Sequence, residues 1–254
     1  MNTFNSDGVE IAYLDEGPAS GHGDPVLLIH GFASNSTVNW VDTGWVRELT
    51  RAGYRVLAID NRGHGQSAKL HDPAHYGSPV MAEDARRLLD HVGAPRADVM
   101  GYSMGARITA FLTMAHPTRV RSAVFAGLGI NMVRGMAGTG PIANALEAPT
   151  IDDVTNATAR TFRAFAEQTK SDLKALAACI RSSRDPITAE ALAKIACPVM
   201  VAVGTLDVIG GSARDLAALI PGAQALEIPD RDHMKAVGDR AYKDGVLAFL
   251  KRRA

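Results

Sequence analysis

Six short apolar runs, separated by stretches with helical spacing, constrain the fold of this chain more than any other feature. Most of the runs are almost entirely apolar, which is typical of strands covered on both faces in a parallel sheet. The runs comprise residues 25–30, 54–60, 97–102, 121–129, 198–204 and 223–229. The helical stretches comprise residues 43–52, 79–92, 104–116, 212–220 and 237–252. This alternation predicts an α/β fold with a doubly wound sheet.

The first residues of the chain follow a different pattern. Residues 3–17 resemble two antiparallel strands joined by a turn at Asp7 and Gly8, a dipeptide that favours hairpins. Together with the six apolar runs, these two strands bring the expected sheet to eight strands. The sequence therefore predicts an eight-stranded, mostly parallel sheet.

The alternation stops between residues 131 and 193. The glycine-rich stretch 131–141 is interpreted as a loop. Two stretches after it have helical spacing, 152–168 and 171–183. Because a separate domain of roughly 60 residues would be only marginally stable, we interpret 131–193 as a helical cap. It is inserted into a core made of residues 1–130 and 194–254.

Charge and composition exclude several classes of partner. The chain has 27 lysines and arginines and 27 aspartates and glutamates, so no net charge attracts nucleic acid or an anionic membrane. The first residues lack the features of a signal peptide, and no apolar run approaches the ~18 residues of a membrane span. We therefore expect a cytoplasmic protein. Cys179 and Cys197 are expected to be buried apolar residues, since their spacing suggests neither a disulfide framework nor a zinc site.

Ser103 lies between two glycines, Gly101 and Gly105, where a predicted strand meets a predicted helix. In this setting the glycines permit a strained turn that exposes the serine hydroxyl above the sheet. The N-terminus of the helix also favours a developing negative charge. Ser103 is thus a candidate nucleophile, and the alternative is a serine that caps the helix.

A nucleophilic serine needs a base, and the base needs a group that orients it. Of the eight histidines, His233 follows the last predicted strand, and Asp207 follows the strand before it. Both positions lie at the carboxyl edge of a parallel sheet, where Ser103 also emerges. Asp230 and Asp232 are closer to His233 in sequence, but neighbours on one loop seldom reach the imidazole. The alternatives are a solvated surface histidine and an aspartate that caps a turn.

With these motifs in this order, the chain resembles the α/β-hydrolase superfamily over essentially its full length. The resemblance implies that Ser103 is the nucleophile, that His233 is the general base and then the acid, and that Asp207 orients the imidazole. Residues 30–32, His-Gly-Phe, match the oxyanion-loop motif of the family. This match implies that the backbone N–H groups of Phe32 and Met104 bind the oxyanion.

Residues 60–67, DNRGHGQS, match a structural turn of the same family. The resemblance therefore makes His64 and Ser67 part of the scaffold. It implies no metal and no organic cofactor, and the sequence contains no dinucleotide fingerprint or metal-ligand cluster.

The expected reaction is hydrolysis of carboxylic esters with small to medium acyl or alkyl groups, through an acyl-enzyme. The expected partner is a small-molecule ester or lactone. The candidate pocket residues are apolar, although methionine and phenylalanine at helical spacing more often belong to a core. They are Phe32, Met104, Met132, Val133, Met136, Ile142, Phe162 and Phe165.

Several related activities remain open on the same residues. The motif Ser103-Met104-Gly105 followed by alanine resembles cofactor-free haloperoxidases, which are perhydrolases, and enol-lactonases. Hydrolases of C–C bonds are less favoured, because they usually have asparagine where this chain has Tyr102. Dehalogenases and epoxide hydrolases of the family attack with an aspartate in place of the nucleophilic serine, so Ser103 disfavours both activities. A small-molecule receptor without catalytic activity is the alternative from a different class.

Overall fold

An eight-stranded sheet lies at the centre of the protein and confirms the expected doubly wound α/β architecture. The computed structural model describes residues 1–135, 139–182 and 185–252. The strands are Asn2–Ser6 (β1), Val9–Glu16 (β2), Pro25–Ile29 (β3), Arg55–Ile59 (β4), Ala97–Tyr102 (β5), Val120–Ala126 (β6), Val199–Gly204 (β7) and Gln224–Ile228 (β8). Their order is β1-β2-β4-β3-β5-β6-β7-β8. The hairpin β1–β2 is antiparallel, as is the pair β2–β4, and all other neighbours are parallel.

The strand expected over 121–129 ends three residues earlier, at Ala126. Gly127 follows with a φ of 62°, in the left-handed region that favours glycine. A Cβ atom at this position would lie 2.7 Å from the Tyr102 ring. The chain therefore leaves the sheet at a glycine because the neighbouring aromatic ring occupies the space that a side chain would need.

Helices cover both faces of the sheet because successive strand residues point to opposite sides. The helices are Trp45–Arg51 (α1), Ser78–His91 (α2), Met104–Ala115 (α3), Asn131–Arg134 (α4), Thr139–Glu147 (α5), Ala157–Gln168 (α6), Leu173–Arg181 (α7), Ala189–Leu192 (α8), Ala213–Ala217 (α9) and Arg240–Arg252 (α10). In β3, Leu27 and Ile29 pack in the core that contains α2, α3 and α9. Val26 and Leu28 pack on the other side, with α1 and α10. These five helices lie within three residues of their expected bounds.

Helices α4 to α8 lie between β6 and β7 and contain the two helices expected there. The loop expected over 131–141 is partly wrong, since α4 occupies its start and α5 begins at Thr139. Each of these helices has an apolar side chain to bury, Met132 in α4 and Ile142 in α5. The two side chains pack in different cores, and their burial explains why this stretch is helical and not a loop. α6 and α7 begin where Asn156 and Asp172 cap them. The extent of a cap over 131–193 stays a prediction.

A compact turn after β4 holds the loop that follows β3. The Asp60 carboxylate accepts hydrogen bonds from the backbone N–H of Ser36 at 2.8 Å and of Gln66 at 2.8 Å. Arg62 donates to Asp84 on α2 at 2.7 Å, and both side chains are buried. These contacts fix one side of the carboxyl edge of the sheet. In the ranges that the structure describes, no helix has the length and apolar character to cross a membrane.

Candidate active site

Ser103 lies in a sharp turn between β5 and α3, and its backbone is strained. Its φ is 56° and its ψ is −114°, a conformation that L-residues rarely adopt. The two flanking glycines allow this turn by close packing. A Cβ atom at Gly101 would lie 2.0 Å from the carbonyl oxygen of Gly105, and one at Gly105 would lie 2.0 Å from that of Ile29. Three backbone segments thus meet beneath the serine, and its side chain is left to point away from them.

The structure brings Ser103, His233 and Asp207 together in one chain of hydrogen bonds. His233 Nε2 lies 2.9 Å from Ser103 Oγ, and His233 Nδ1 lies 2.8 Å from Asp207 Oδ2. The other carboxylate oxygen, Asp207 Oδ1, accepts from the backbone N–H groups of Ile209 at 2.9 Å and Gly210 at 2.8 Å. This network assigns the Nδ1–H tautomer, in which the unprotonated Nε2 accepts from the serine hydroxyl.

Tyr102 joins the strand that carries the serine to the loop that carries the histidine. Its phenol donates to the backbone carbonyl of His233 at 2.6 Å, and the two rings lie 5.6 Å apart. Burial raises the pKa of the Tyr102 phenol well above its usual range, so the hydroxyl stays protonated and donates. This contact was not predicted from the sequence. The only available signal was the position of an aromatic hydroxyl directly before the candidate nucleophile.

Of the two acids closest to His233 in sequence, Asp232 bonds to its own turn and Asp230 is exposed. Asp232 accepts from the backbone N–H groups of Met234 at 3.1 Å and Lys235 at 2.9 Å, so it shapes the turn. The backbone N–H of Asp230 donates to Thr205. Asp207, although 26 residues away in sequence, is the acid that faces the imidazole.

The loop after β3 presents a backbone N–H beside the serine. Gly31 lies so close to Ser103 that a Cβ atom there would be 3.3 Å from the serine Cβ. The N–H of Gly31 donates to Asn39 Oδ1 at 2.8 Å, which fixes the loop. Neither the N–H of Phe32 nor that of Met104 has a hydrogen-bond partner within the described ranges. Both are therefore available to a ligand oxygen.

Two buried histidines lie below this loop. The rings of His30 and His64 are 5.2 Å apart, and the ring of Phe32 meets that of His64 at 5.8 Å. His30 Nε2 accepts from the backbone N–H of Asn61 at 3.0 Å, and His64 Nδ1 lies 3.0 Å from the carbonyl oxygen of Arg62. Burial lowers the pKa of His64 to about 3, with a smaller contribution from the neighbouring His30. Burial also lowers the pKa of His30. These histidines are neutral parts of the scaffold.

Two cavities meet at Ser103, and Phe32 and Phe162 line both of them. The smaller cavity has a volume of about 210 Å³ and is also lined by Ser34, Asn39, Phe165 and His233. The larger has a volume of about 320 Å³ and is also lined by Met104, Met132, Val133 and Ile142. The structure thus places every expected pocket residue at one of the cavities, except Met136, which lies outside the described residues.

The family model described as the alpha/beta hydrolase fold matches residues 24–157 of this chain. Among curated relatives, Epoxide hydrolase B of Mycobacterium tuberculosis is 34% identical over 132 residues, which are 50% of this chain and 36% of that protein. The Non-heme chloroperoxidase CPO-A1 of Kitasatospora aureofaciens is 38% identical over 119 residues, which are 46% of this chain and 40% of that protein. The chain therefore spans well under half the length of these relatives.

Solved structures resemble nearly the whole chain. A hydrolase from Pseudomonas aeruginosa PA01 has 26% identity and a TM-score of 0.75, covering 98% of this chain and 97% of that one. The enol-lactonase from Burkholderia xenovorans LB400 has 22% identity and a TM-score of 0.80, covering 99% and 100%. At this identity, the second likeness concerns the fold alone.

Proposed function

This chain belongs to the α/β-hydrolase family, and on that premise we propose that it is a serine hydrolase that cleaves carboxylic esters through a covalent acyl-enzyme. One observation carries the proposal. An unbroken chain of hydrogen bonds runs from Ser103 Oγ through the imidazole of His233 to the buried carboxylate of Asp207. Such a chain activates a hydroxyl because the proton has an acceptor within reach and the acceptor has a fixed orientation.

In the first half of the reaction, Ser103 Oγ attacks the ester carbonyl carbon while His233 Nε2 takes the hydroxyl proton. The carbonyl oxygen becomes an oxyanion, which the N–H groups of Phe32 and Met104 stabilise. Asp207 stabilises the imidazolium that forms. When the tetrahedral intermediate collapses, the bond to the alcohol oxygen breaks and His233 donates its proton to the leaving alcohol.

In the second half, water enters beside His233 and gives up a proton to the imidazole as its oxygen attacks the acyl carbon. The same two N–H groups bind the second oxyanion. The bond between the acyl carbon and Ser103 Oγ then breaks, His233 returns its proton to the serine oxygen, and the acid product leaves. Each step uses only side chains and backbone groups of this chain, so the mechanism needs no metal and no organic cofactor.

The substrate that we propose is a small-molecule ester with a small to medium acyl or alkyl group. The two cavities at Ser103, of about 210 and 320 Å³, support this size. A lactone is an internal ester and fits the same mechanism. We also propose that residues 131–193 act as a cap, since Ile142, Phe162 and Ile180 from this segment line the larger cavity.

Perhydrolysis is the second candidate, because hydrogen peroxide in place of water would attack the same acyl-enzyme. The name of the chloroperoxidase relative favours it. Epoxide opening is less favoured despite the name of the other relative, since the turn between β5 and α3 carries Ser103 where the epoxide hydrolases of the family carry aspartate. A receptor that binds a small molecule without turnover is the alternative from a different class.

The proposal is tested by covalent labelling with a fluorophosphonate and by hydrolysis of p-nitrophenyl butyrate. The wild-type protein should label and turn over, and Ser103→Ala and His233→Ala should reduce turnover by ~10³ or more. Ser20→Ala, an exposed serine, is the matched control and should retain both properties. A wild-type protein that neither labels nor turns over would support the receptor.

A further inference from the structure

The two cavities at Ser103 differ in their relation to His233. The smaller cavity is lined by His233 and by Met234 and Val237, which follow it in the chain. The larger cavity is lined by Met104, which follows Ser103 in the chain, and His233 is not among its described lining residues. In the proposed reaction, the leaving alcohol takes its proton from the imidazole, so its oxygen must lie next to Nε2. The smaller cavity is therefore on the side of the leaving alcohol.

The smaller cavity is lined by two buried polar side chains, Ser34 and Asn39, whose hydrogen-bonding capacity the described residues do not use in full. Ser34 is 2% exposed, and its Oγ has no hydrogen-bond partner among the described residues. Asn39 is also buried, and its Oδ1 is used by the N–H of Gly31. For its carboxamide nitrogen, the described part of the chain offers no acceptor. A buried hydroxyl without a partner destabilises a fold, so its presence at a cavity indicates a ligand that pairs with it.

We propose that the smaller cavity is the leaving-group site and that it selects esters whose alcohol part carries a second hydroxyl, bound by Ser34 and Asn39. This inference rests on the proposed function and deepens it. The acyl group then occupies the larger cavity. An alcohol part without the second hydroxyl leaves Ser34 unpaired, and a site built to form a hydrogen bond rejects such an analogue more strongly than a site that differs only in size.

The first test uses the wild-type protein and two esters that differ in one group. 2-Hydroxyethyl butyrate and propyl butyrate have the same acyl group and the same number of heavy atoms in the alcohol part. We expect kcat/KM, divided by the rate of alkaline hydrolysis of each ester, to favour the hydroxyethyl ester by ~10-fold, the size of one good hydrogen bond. Equal corrected values would overturn the inference.

The second test compares two serine variants. Ser34→Ala should reduce the hydroxyethyl preference by ~5-fold or more and leave the thermal unfolding midpoint equal to or above that of wild type, because it removes an unpaired buried hydroxyl. Ser122→Ala is the matched control, since Ser122 is equally buried, donates to Asp98 at 2.7 Å and lies far from the site. It should lower the midpoint and leave the preference unchanged.

The outcomes separate the inference from the function on which it rests. Cleavage of both esters with a preference that Ser34→Ala does not change would overturn the leaving-group site and leave the hydrolase intact. Absence of cleavage and of fluorophosphonate labelling would overturn both. A preference that depends on Ser34, with midpoints that move as stated for the two variants, would support the site.

Discussion

Replacement of His64 should make the protein markedly less sensitive to acid. The pKa of His64 is lowered from 6.5 to about 3 by complete burial, so protonation is far easier in the unfolded chain than in the folded one. The contribution of this histidine to stability is therefore full above pH 6.5 and is lost as the pH falls toward 3. pH 5 lies about 1.5 pH units below the pKa of the unfolded chain. At this pH, the free energy of unfolding is therefore lower by ~2 kcal/mol than above pH 6.5.

The variant His64→Asn tests this reasoning. Asparagine keeps a donor for the carbonyl oxygen of Arg62, which His64 Nδ1 contacts at 3.0 Å, and it removes the titratable group. Urea unfolding followed by circular dichroism at pH 7 and pH 5 gives the free energy of unfolding of both proteins. We expect the wild type to lose ~2 kcal/mol more than the variant between these values.

The difference between the two proteins cancels the contributions of the titrating groups whose surroundings the substitution leaves unchanged. His64→Gln is a second neutral replacement of different shape, and it should give the same pH dependence even if its stability at pH 7 differs. Parallel losses in wild type and both variants would refute the argument, because burial of His64 would then carry no proton linkage.

Three further results are expected. Tyr102→Phe should lower kcat for ester hydrolysis by ~10-fold with little change in KM, because it removes one buried hydrogen bond that holds the base; an unchanged kcat would exclude this positioning role. Asp84→Ala should lower the free energy of unfolding by ~3–5 kcal/mol, since it removes the only carboxylate bonded to the buried Arg62 guanidinium among the described residues. The double variant with Arg62→Met should recover part of this loss in urea titrations. Gly105→Ala should lower the free energy of unfolding in urea by ~3 kcal/mol or more, because the new Cβ atom has no space. An unfolding midpoint equal to that of wild type would contradict the close packing at the turn around Ser103.

The sequence allowed much of the architecture to be predicted because the signals were local. The apolar runs became β3 to β8, since the inner parallel strands are covered on both faces and favour apolar residues, whereas the edge strand β8 is largely exposed. Ser103, Asp207 and His233 could be nominated together because each follows a strand at the same edge of the sheet. The topology of the sheet thus limits the candidate catalytic residues to those that follow the ends of a few strands.

The features that sequence reasoning missed depend on contacts between distant residues. The bond from Tyr102 to the His233 carbonyl joins positions 131 residues apart. The short helix α4 lies in a glycine-rich stretch, and burial of Met132 decides its conformation over local propensity. The unpaired hydroxyl of Ser34 is evident only once its surroundings are known. Such features belong to tertiary packing, which periodicity and turn residues do not encode.

The tight backbone contacts at Gly101 and Gly105 show that the short pattern around Ser103 satisfies two separate requirements, one of packing and one of chemistry. Both positions need glycine because neighbouring backbone segments lie too close for a side chain, and this holds for any residue at position 103. Of these three residues, the proposed reaction requires only the serine. A lineage that gave up turnover and kept its ligand would be free to change Ser103 at once, while the glycines would persist for as long as the sheet and helix pack in this way.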